Sequence, residues 1–475
     1  MTTRKKAAII GGGVIGGGWA ARFLLNGWDV VISDPDPDAE RKIGEVLANA
    51  RRSLPALSDC TVPQEGNLHF ASSIKDAVQD AGWIQESVPE RLDLKHKVFA
   101  EIQEHCPPDA LIGSSTSGFK PSELQQCVKK PNQIFVAHPF NPVYLLPLVE
   151  LVGAPDTVER AKAVLDAMGM KPLIVRKEID AHIADRFLEA VWREALWLVK
   201  DGIATTEEID DAIRFGFGLR WAQMGLFETY RIAGGEAGMK HFIAQFGPCL
   251  EWPWTKLMDV PELTDELIDT IAGQSDAQSG MHSIRELERI RDDNLVSMMR
   301  ALKARNWGAG ALLADHDERI KPPLPSDITQ PLQTLHRVIP IDWTDYNGHM
   351  NESRYGQVFS DAGDVVMAMV GADAEYIDGG MSYFTVDNHI RYLAESVAGD
   401  EIRVRTQVLE AKGKKLRMYH EMLRADGELL ATCNQLLIHV SLETRRSCDP
   451  APHVLAKIDA LGEAQAKLPQ PESMR

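Results

Sequence analysis

The 475-residue sequence predicts a multidomain protein of mixed α/β and α+β class. Three observations support this prediction. Short apolar segments alternate with helical segments in residues 1–180, which is typical of a parallel sheet. Apolar residues recur at helical spacing in residues 181–320. After a proline-rich linker at 321–334, residues 335–475 show the apolar–polar alternation of antiparallel strands. We therefore expect three domains with these boundaries.

Composition and charge narrow the possible functions. The net charge of −18 and the pI near 5.3 argue against nucleic acid or a membrane surface as a partner. They are compatible with a cationic substrate. The six cysteines include no C-x-x-C pair, so neither disulfides nor a metal site is expected. We find no signal peptide and no apolar stretch of membrane-spanning length, and we therefore expect a cytoplasmic protein.

The first strand and the turn after it predict a Rossmann-type domain that binds a dinucleotide. Residues 7–10 are apolar, and a G-x-G-x-x-G turn follows directly. The second strand ends near Asp34, eighteen residues after Gly16, where a carboxylate favours NAD over NADP. A simple glycine-rich turn is the alternative, but the order of strand, glycines, helix, strand and acid argues against it. The residues predicted to line the cofactor in this turn are Gly11, Gly13, Val14, Ile15 and Gly16.

A histidine and a glutamate on consecutive apolar segments predict a proton-transfer pair. His138 ends one apolar run, and Glu150 lies on the next, twelve residues later. An imidazole can take a proton from a hydroxyl while a carboxylate fixes its tautomer. A buried, hydrogen-bonded structural histidine is the alternative interpretation. Ser117 lies in a loop at the carboxyl end of another predicted strand, where its hydroxyl could touch substrate or ribose.

Residues 1 to about 315 resemble the 3-hydroxyacyl-CoA dehydrogenase superfamily. The resemblance is carried by the Q-E-S-V-P-E-R-L-D-L-K segment at 85–95 and the H-P-F-N-P-V-Y segment at 138–144, and it is closest to the branch acting on small hydroxy acids. It implies an all-helical C-terminal domain that closes over the cofactor cleft and carries a homodimer interface. It also implies that His138 is the base and Glu150 its orienting partner, with NAD and the substrate hydroxyl bordered by Glu90, Lys95, Ser117 and Asn141.

Asp185 departs from the superfamily pattern, which has an asparagine at this position. The departure puts a standard acyl-CoA substrate in doubt. One interpretation is a solvated or arginine-paired acid near a helix N-terminus, where the helix dipole favours it. The other is that a full negative charge near the reaction centre selects a cation.

Aromatic residues near the same segments support a cationic substrate. Aromatic faces hold quaternary ammonium groups, and two or three rings in a cage would suffice. Most of the aromatic residues are expected in the core. The rings that we predict to contact substrate are Phe140, Phe187 and Trp192.

The C-terminal region combines one predicted helix, at 351–370, with alternating strands. Its opening segment, D-W-T-D-Y-N-G-H-M-N at 342–351, resembles the 4-hydroxybenzoyl-CoA thioesterase type of hotdog fold, over nearly all of residues 335–442. Asp345 matches the acid of that family's motif. It could attack a thioester or activate water, while amides at the start of the helix polarise the carbonyl. An ordinary Asp-x-Asn-Gly turn is the alternative. Hotdog subunits usually pair, so the resemblance implies at least a dimer.

Together these features predict a bifunctional enzyme that acts on small molecules. The fused arrangement, Asp185 and the aromatic residues resemble a known dehydrogenase–thioesterase family. This resemblance implies an NAD-dependent dehydrogenase that acts on a hydroxy acid bearing a trimethylammonium group, and a thioesterase that shares that selectivity. An L-3-hydroxyacyl-CoA dehydrogenase and a gulonate-type dehydrogenase remain alternatives for the first activity. The hotdog domain could instead be a non-catalytic dimerisation or ligand-binding module. A fully non-enzymatic protein would require an idle pair of His138 and Glu150.

Overall fold

A computed structural model of the chain describes residues 5–60, 62–126, 128–233, 238–246, 255–256, 262 and 264–474. The chain forms two compact units. The first comprises residues 1–51 and 64–316, and the second comprises residues 52–63 and 317–475. The predicted domains are continuous in sequence. The second unit, by contrast, includes a short segment from near the N-terminus.

A sheet of eight strands in the order β3-β2-β1-β4-β5-β6-β7-β8 organises the first unit. All neighbouring strands are parallel except β6 and β7, which are antiparallel. The central strands β4, β5 and β6 are buried at every position, as expected for a parallel sheet covered on both faces. The strands are β1 (Lys6–Ile10), β2 (Asp29–Ser33), β3 (Leu68–Phe70), β4 (Trp83–Glu86), β5 (Leu111–Ser114), β6 (Ile134–Pro139), β7 (Leu148–Val152) and β8 (Lys171–Ile174).

Six helices connect these strands, and the doubly wound arrangement confirms the predicted α/β class. Apolar side chains of the strands and helices form a common core, which includes Ile84, Phe99 and Val136. The helices are α1 (Val14–Leu24), α2 (Ala39–Ser53), α3 (Ile74–Val78), α4 (Leu92–His105), α5 (Pro121–Leu124) and α6 (Pro155–Ala167).

The following region is helical, as predicted, but its first helix starts later than expected. The sequence predicted a helix from residue 181, whereas α7 starts at Ala184. The backbone at Ala181 and His182 has φ of 58° and 50°, which is incompatible with a right-handed helix. No helix in the described part of the chain is long and apolar enough to cross a membrane. The helices are α7 (Ala184–Lys200), α8 (Thr206–Ala212), α9 (Gly218–Ala233), α10 (Gly238–Phe246), α11 (Asp265–Ser279), α12 (Ile284–Lys303) and α13 (Ala309–Ile320).

The second unit is one long helix packed on an antiparallel sheet of order β10-β13-β12-β11-β9, which confirms the predicted hotdog architecture. Val358, Phe359 and Ala362 of the long helix are fully buried against strand residues. Its first strand begins at Leu332, within the segment predicted as linker. The elements are β9 (Leu332–Val338), α14 (Glu352–Val370), α15 (Ala374–Asp378), β10 (Met381–Tyr392), β11 (Glu401–Lys412), β12 (Lys415–Arg424), β13 (Leu429–Ser441) and α16 (Pro452–Gln465).

Candidate active sites

The antiparallel pairing of β6 and β7 places His138 directly opposite Glu150. Directly opposite residues on antiparallel strands project to the same face of the sheet, close enough for their side chains to touch. The Nδ1 atom of His138 lies 3.0 Å from Oε2 of Glu150. Only 4% of His138 is exposed and Glu150 is fully buried. This is the geometry in which a carboxylate fixes the tautomer of an imidazole, with Nδ1–H as the donor.

The second oxygen of Glu150 is held by the start of α7. Its Oε1 atom accepts hydrogen bonds from the main-chain amides of Ile183 at 2.9 Å and Ala184 at 3.0 Å. Burial alone would raise the pKa of the Glu150 carboxyl. The hydrogen bonds from His138 and from the two amides outweigh burial, and the pKa is lowered below its usual value. Glu150 therefore remains a carboxylate that can stabilise a protonated His138.

Two other predicted residues meet at the opposite nitrogen of the imidazole. The Nε2 atom of His138 lies 3.3 Å from Oγ of Ser117 and 3.5 Å from Oδ2 of Asp185. The ring of Phe140 contacts the imidazole edge-on, with centroids 4.8 Å apart. Burial raises the pKa of the Asp185 carboxyl, and Glu150 adds to the increase, while His138 opposes it. A hydroxyl, a carboxylate and an aromatic ring thus surround the nitrogen that is available to accept a proton.

A second histidine, which the sequence analysis did not single out, lies beside this group. His182 is fully buried, and its ring centroid is 5.5 Å from that of His138. Its Nε2 atom is 3.4 Å from the carbonyl oxygen of Thr116. Burial, and next the positive charge that His138 can carry, lower the pKa of His182. Its position three residues before Asp185 was the available signal, because residues three apart lie on the same side of a helix.

The predicted glycine turn joins β1 to α1. Gly11 has a φ of +97°, and a Cβ atom there would lie 2.6 Å from the carbonyl oxygen of Ser87. A Cβ atom at Gly16 would lie 1.8 Å from the carbonyl oxygen of Gly11. Side chains at these two positions would therefore collide with the main chain. The glycines allow the tight turn that brings a helix N-terminus to the carboxyl edge of the sheet.

The start of α1 has the features of a pyrophosphate-binding turn. Gly13 is its N-cap residue, and the first turn, which includes Val14 and Ile15, contains no acidic residue. Helix N-termini attract anions through their free amides and the helix dipole. Asp34, at the end of β2, accepts a short hydrogen bond from the amide of Gly12. These residues fit the predicted contacts with the phosphates and the ribose of a dinucleotide.

A buried ion-pair cluster links β4 to α4. Lys95 is 1% exposed, and its ammonium lies 2.9 Å from Oε1 of Glu86 and 3.2 Å from Oε2 of Glu90. Glu90 also accepts a short hydrogen bond from Thr116, in the loop that carries Ser117. The predicted residues Glu90 and Lys95 are therefore adjacent, and Glu86 is a partner that the sequence did not assign. Asn141 lies exposed in the loop after β6.

In the second unit, Asp345 lies in the loop between β9 and α14. Its Oδ1 atom accepts hydrogen bonds from the amides of Asn347 at 2.8 Å and His349 at 3.3 Å. Its own amide donates to the carbonyl of His349 at 2.8 Å. The loop is thus a closed turn that fixes Asp345 just before the N-terminus of the long helix. An ordinary Asp-x-Asn-Gly turn and a catalytic role for Asp345 are therefore compatible.

Comparisons with known proteins agree with this arrangement. Family models match residues 6–179 (3-hydroxyacyl-CoA dehydrogenase, NAD binding domain), 182–264 (its C-terminal domain) and 339–458 (thioesterase-like superfamily). The chain is 68% identical to the L-carnitine dehydrogenase/betainyl-CoA thioesterase of Ruegeria pomeroyi, over 99% of this chain and 98% of the relative. It is 56% identical to the protein of the same name from Agrobacterium fabrum, over 98% and 96%. The chain belongs to the L-carnitine dehydrogenase/betainyl-CoA thioesterase family.

Two further matches cover the dehydrogenase part of this L-carnitine dehydrogenase/betainyl-CoA thioesterase family member without the thioesterase part. A protein from Pseudomonas aeruginosa named L-carnitine dehydrogenase is 53% identical over 64% of this chain and 95% of the relative. A crystal structure of an NAD⁺-dependent dehydrogenase acting on a pyridine carboxylic acid matches with a TM-score of 0.55 and 28% identity, over 63% of this chain and 99% of that one. Relatives without the thioesterase name thus cover about two-thirds of the chain.

The remaining predicted substrate residues of this family member lie on α7. Phe187 and Trp192 are 56% and 60% exposed. At 100° per residue, Trp192 lies on nearly the same side of the helix as Asp185, two turns further along, whereas Phe187 lies on the opposite side. Helix geometry therefore favours Trp192 over Phe187 as a neighbour of a group bound at Asp185. The roles of both rings stay predictions.

Proposed function

We propose that the first unit oxidises L-carnitine to 3-dehydrocarnitine with NAD, and that the second hydrolyses betainyl-CoA to glycine betaine and CoA. The observation that carries the first activity is the position of His138, with Glu150 at one imidazole nitrogen and Ser117 and Asp185 at the other. The full-length similarity to proteins of this name supports both activities.

In the oxidation, His138 is the general base. Its Nδ1–H remains donated to Glu150, so Nε2 is free to accept the hydroxyl proton of the substrate. Ser117 positions that hydroxyl. The carboxylate of Glu150 stabilises the imidazolium that forms. NAD, when bound to the glycine turn and Asp34, supplies the acceptor for the hydride.

The trimethylammonium group of carnitine explains an aspartate at position 185. A carboxylate in a partly buried position attracts a cation more strongly than an asparagine would. The aromatic face of Phe140, beside the imidazole, adds a second favourable contact for a quaternary ammonium. Charge and aromatic contact together would select carnitine over a hydroxy acid without an ammonium group.

In the hydrolysis, Asp345 acts on the thioester carbonyl, as nucleophile or as the base that activates water. The turn formed with Asn347 and His349 holds the carboxylate in place. Amides near the start of α14 would stabilise the negative charge that develops on the carbonyl oxygen. The products are glycine betaine and CoA.

The active protein is a homodimer in the cytoplasm under this proposal. The helical region exposes large apolar side chains, among them Phe215 at 75% and Phe227 at 70%. Apolar patches of this kind mark protein–protein interfaces. The use of NAD and CoA supports the cytoplasmic location. Sedimentation velocity of the purified chain would determine the oligomeric state.

Substrate turnover tests the two activities directly. NADH formation should be fastest with L-carnitine, and slower with gulonate or 3-hydroxybutyryl-CoA. Release of CoA from betainyl-CoA should be followed in parallel with a thiol reagent. Absence of carnitine turnover would refute the first proposal, and absence of CoA release would refute the second. Either result is independent of the other.

A further inference from the structure

A short segment near the N-terminus forms part of the second unit. Residues 52–63 begin with the last two residues of α2, yet they cluster with residues 317–475. The Ser58 hydroxyl and the Asp59 amide both donate to the carboxylate of Asp317, the second at 2.8 Å. These contacts hold the main chain at Asp59 in a defined place within the second unit.

Asp59 is paired there with a buried cation of the hotdog sheet. Arg337, on β9, is 3% exposed, and its Nη2 atom donates to Oδ1 of Asp59 at 2.6 Å. A buried guanidinium needs a compensating charge, and losing one partner of a buried pair is costly. A second carboxylate near Arg337 is that of Asp361, whose Oδ2 atom is 3.6 Å from Nη1.

Asp59 is the closer of these two acids and the stronger partner. Burial raises the pKa of Asp361 to about 6, although Arg337 opposes the increase. The charges of Asp364 and Asp59 contribute to this raised pKa of Asp361. Asp361 is therefore less fully ionised than an ordinary aspartate near neutral pH. Of these two acids, the one from the N-terminal segment therefore makes the stronger ion pair with Arg337.

Arg337 packs against Trp343, at the start of the loop that carries Asp345. Its guanidinium lies 4.0 Å from the ring centroid of Trp343, which is 2% exposed. The carbonyl of Trp343 accepts a hydrogen bond of 2.9 Å from the amide of Asn351, the N-cap residue of α14. Trp343 and Asn351 thus close the loop at its two ends, and Asp345 lies between them.

We propose that Asp59 is a positioning residue for the thioesterase reaction, acting through Arg337 and Trp343 on the loop of Asp345. The inference rests on the proposed thioesterase function. Removing the Asp59 charge takes away the nearer of these two acids, so the guanidinium moves toward Asp361 and away from its stacking position on Trp343. The loop then loses the packing of Arg337 on Trp343, and the Asp345 carboxylate is no longer held in its orientation. A residue from the N-terminal part of the chain would thereby control the C-terminal activity.

The test is Asp59→Asn in the full-length protein. This substitution keeps size and shape and removes only the charge. We expect kcat for betainyl-CoA hydrolysis to fall about tenfold, with KM changed little, because catalytic aim depends on angstrom-level placement. Carnitine oxidation should be unchanged. Asp59→Glu, which restores the charge, should recover most of kcat. Asp80→Asn, which removes an exposed acid paired with Lys6, is the matched control and should leave both activities unchanged.

Ser58→Ala provides a second, milder variant in case Asp59→Asn does not fold. It removes the Ser58 hydrogen bond to the Asp317 carboxylate and leaves the ion pair, so we expect a smaller fall in the same kcat. If the Asp59→Asn variant hydrolysed betainyl-CoA with the same kcat as the wild type, the positioning role would be overturned and the thioesterase function would stand. Equal losses of hydrolysis and carnitine oxidation would also overturn it, since they would indicate general instability. A wild-type protein without hydrolysis would refute the thioesterase function itself, and the inference with it.

Discussion

The carboxylate of Asp185 lies 3.5 Å from the Nε2 atom of His138, on the side of the imidazole opposite Glu150. The ring is therefore placed between two acids with different partners. Glu150 is fixed by two main-chain amides, whereas Asp185 is partly exposed. One acid can thus support the imidazolium while the other remains accessible to a cationic substrate. Substitutions of Glu150 and Asp185 should therefore affect different steps of the dehydrogenase reaction.

Replacement of His138 should abolish most carnitine oxidation. His138→Gln keeps a polar side chain but cannot serve as a base at neutral pH. General base catalysis contributes about 10²–10⁴-fold, so we expect kcat to fall by about 10³. Stopped-flow and steady-state NADH absorbance would measure the change, and NADH binding by fluorescence should be preserved. A variant with more than a tenth of wild-type kcat would contradict the assigned base.

Glu150→Gln should weaken both catalysis and acid-dependent stability. The neutral amide cannot stabilise the imidazolium, so kcat should fall by about 10². The folded-state pKa of Glu150 is lowered from 4.5, so its contribution to stability is present above about pH 4.5 and is lost as pH falls through the folded value. Denaturant unfolding should therefore show the largest difference from wild type near neutral pH, narrowing in acid. A constant difference at all pH values would argue against an ionised Glu150.

Asp185→Asn should change substrate selectivity more than it changes chemistry. We expect kcat/KM for carnitine to fall about tenfold or more, and kcat/KM for 3-hydroxybutyrate, which lacks the ammonium group, to stay constant or rise. The Asp185 pKa is raised, so carnitine binding by the wild type should weaken as pH falls toward that value, and this dependence should vanish in the variant. Glu189→Gln, one turn further along α7, is a control that removes a more exposed acid. Equal losses for both substrates would indicate a structural role.

The sequence predicted the parts of the first site that depend on local order. The glycine turn, Asp34 and the paired His138 and Glu150 follow from the succession of strands and loops. The sequence could not show why the last two meet, because their contact depends on β7 running antiparallel to β6 in an otherwise parallel region. The sequence also could not show the left-handed backbone at residues 181 and 182, where a helix was predicted.

Long-range charge pairs were beyond sequence reasoning for a different reason. Arg337 occupies an alternating strand, where a charged residue is normally expected to face solvent. Its burial depends on a carboxylate 278 positions earlier in the chain. No periodicity or motif connects two such residues, because the pairing is set by how a distant segment folds back. The ion pair of Glu86 and Lys95 was missed for another reason. These two residues are close in sequence, but nothing in the sequence indicated that both would be buried.

Asp345→Asn should separate the two activities of the chain. The amide can still accept the hydrogen bonds from Asn347 and His349, so the turn should fold. It can neither attack a thioester nor activate water, and CoA release from betainyl-CoA should fall by about 10²–10⁴-fold. Carnitine oxidation should stay at the wild-type rate, which serves as an internal control for folding. A binding module would instead show the same CoA affinity and the same background hydrolysis in both proteins. Retention of full hydrolysis in the variant would exclude Asp345 and redirect attention to other polar residues of the same loop.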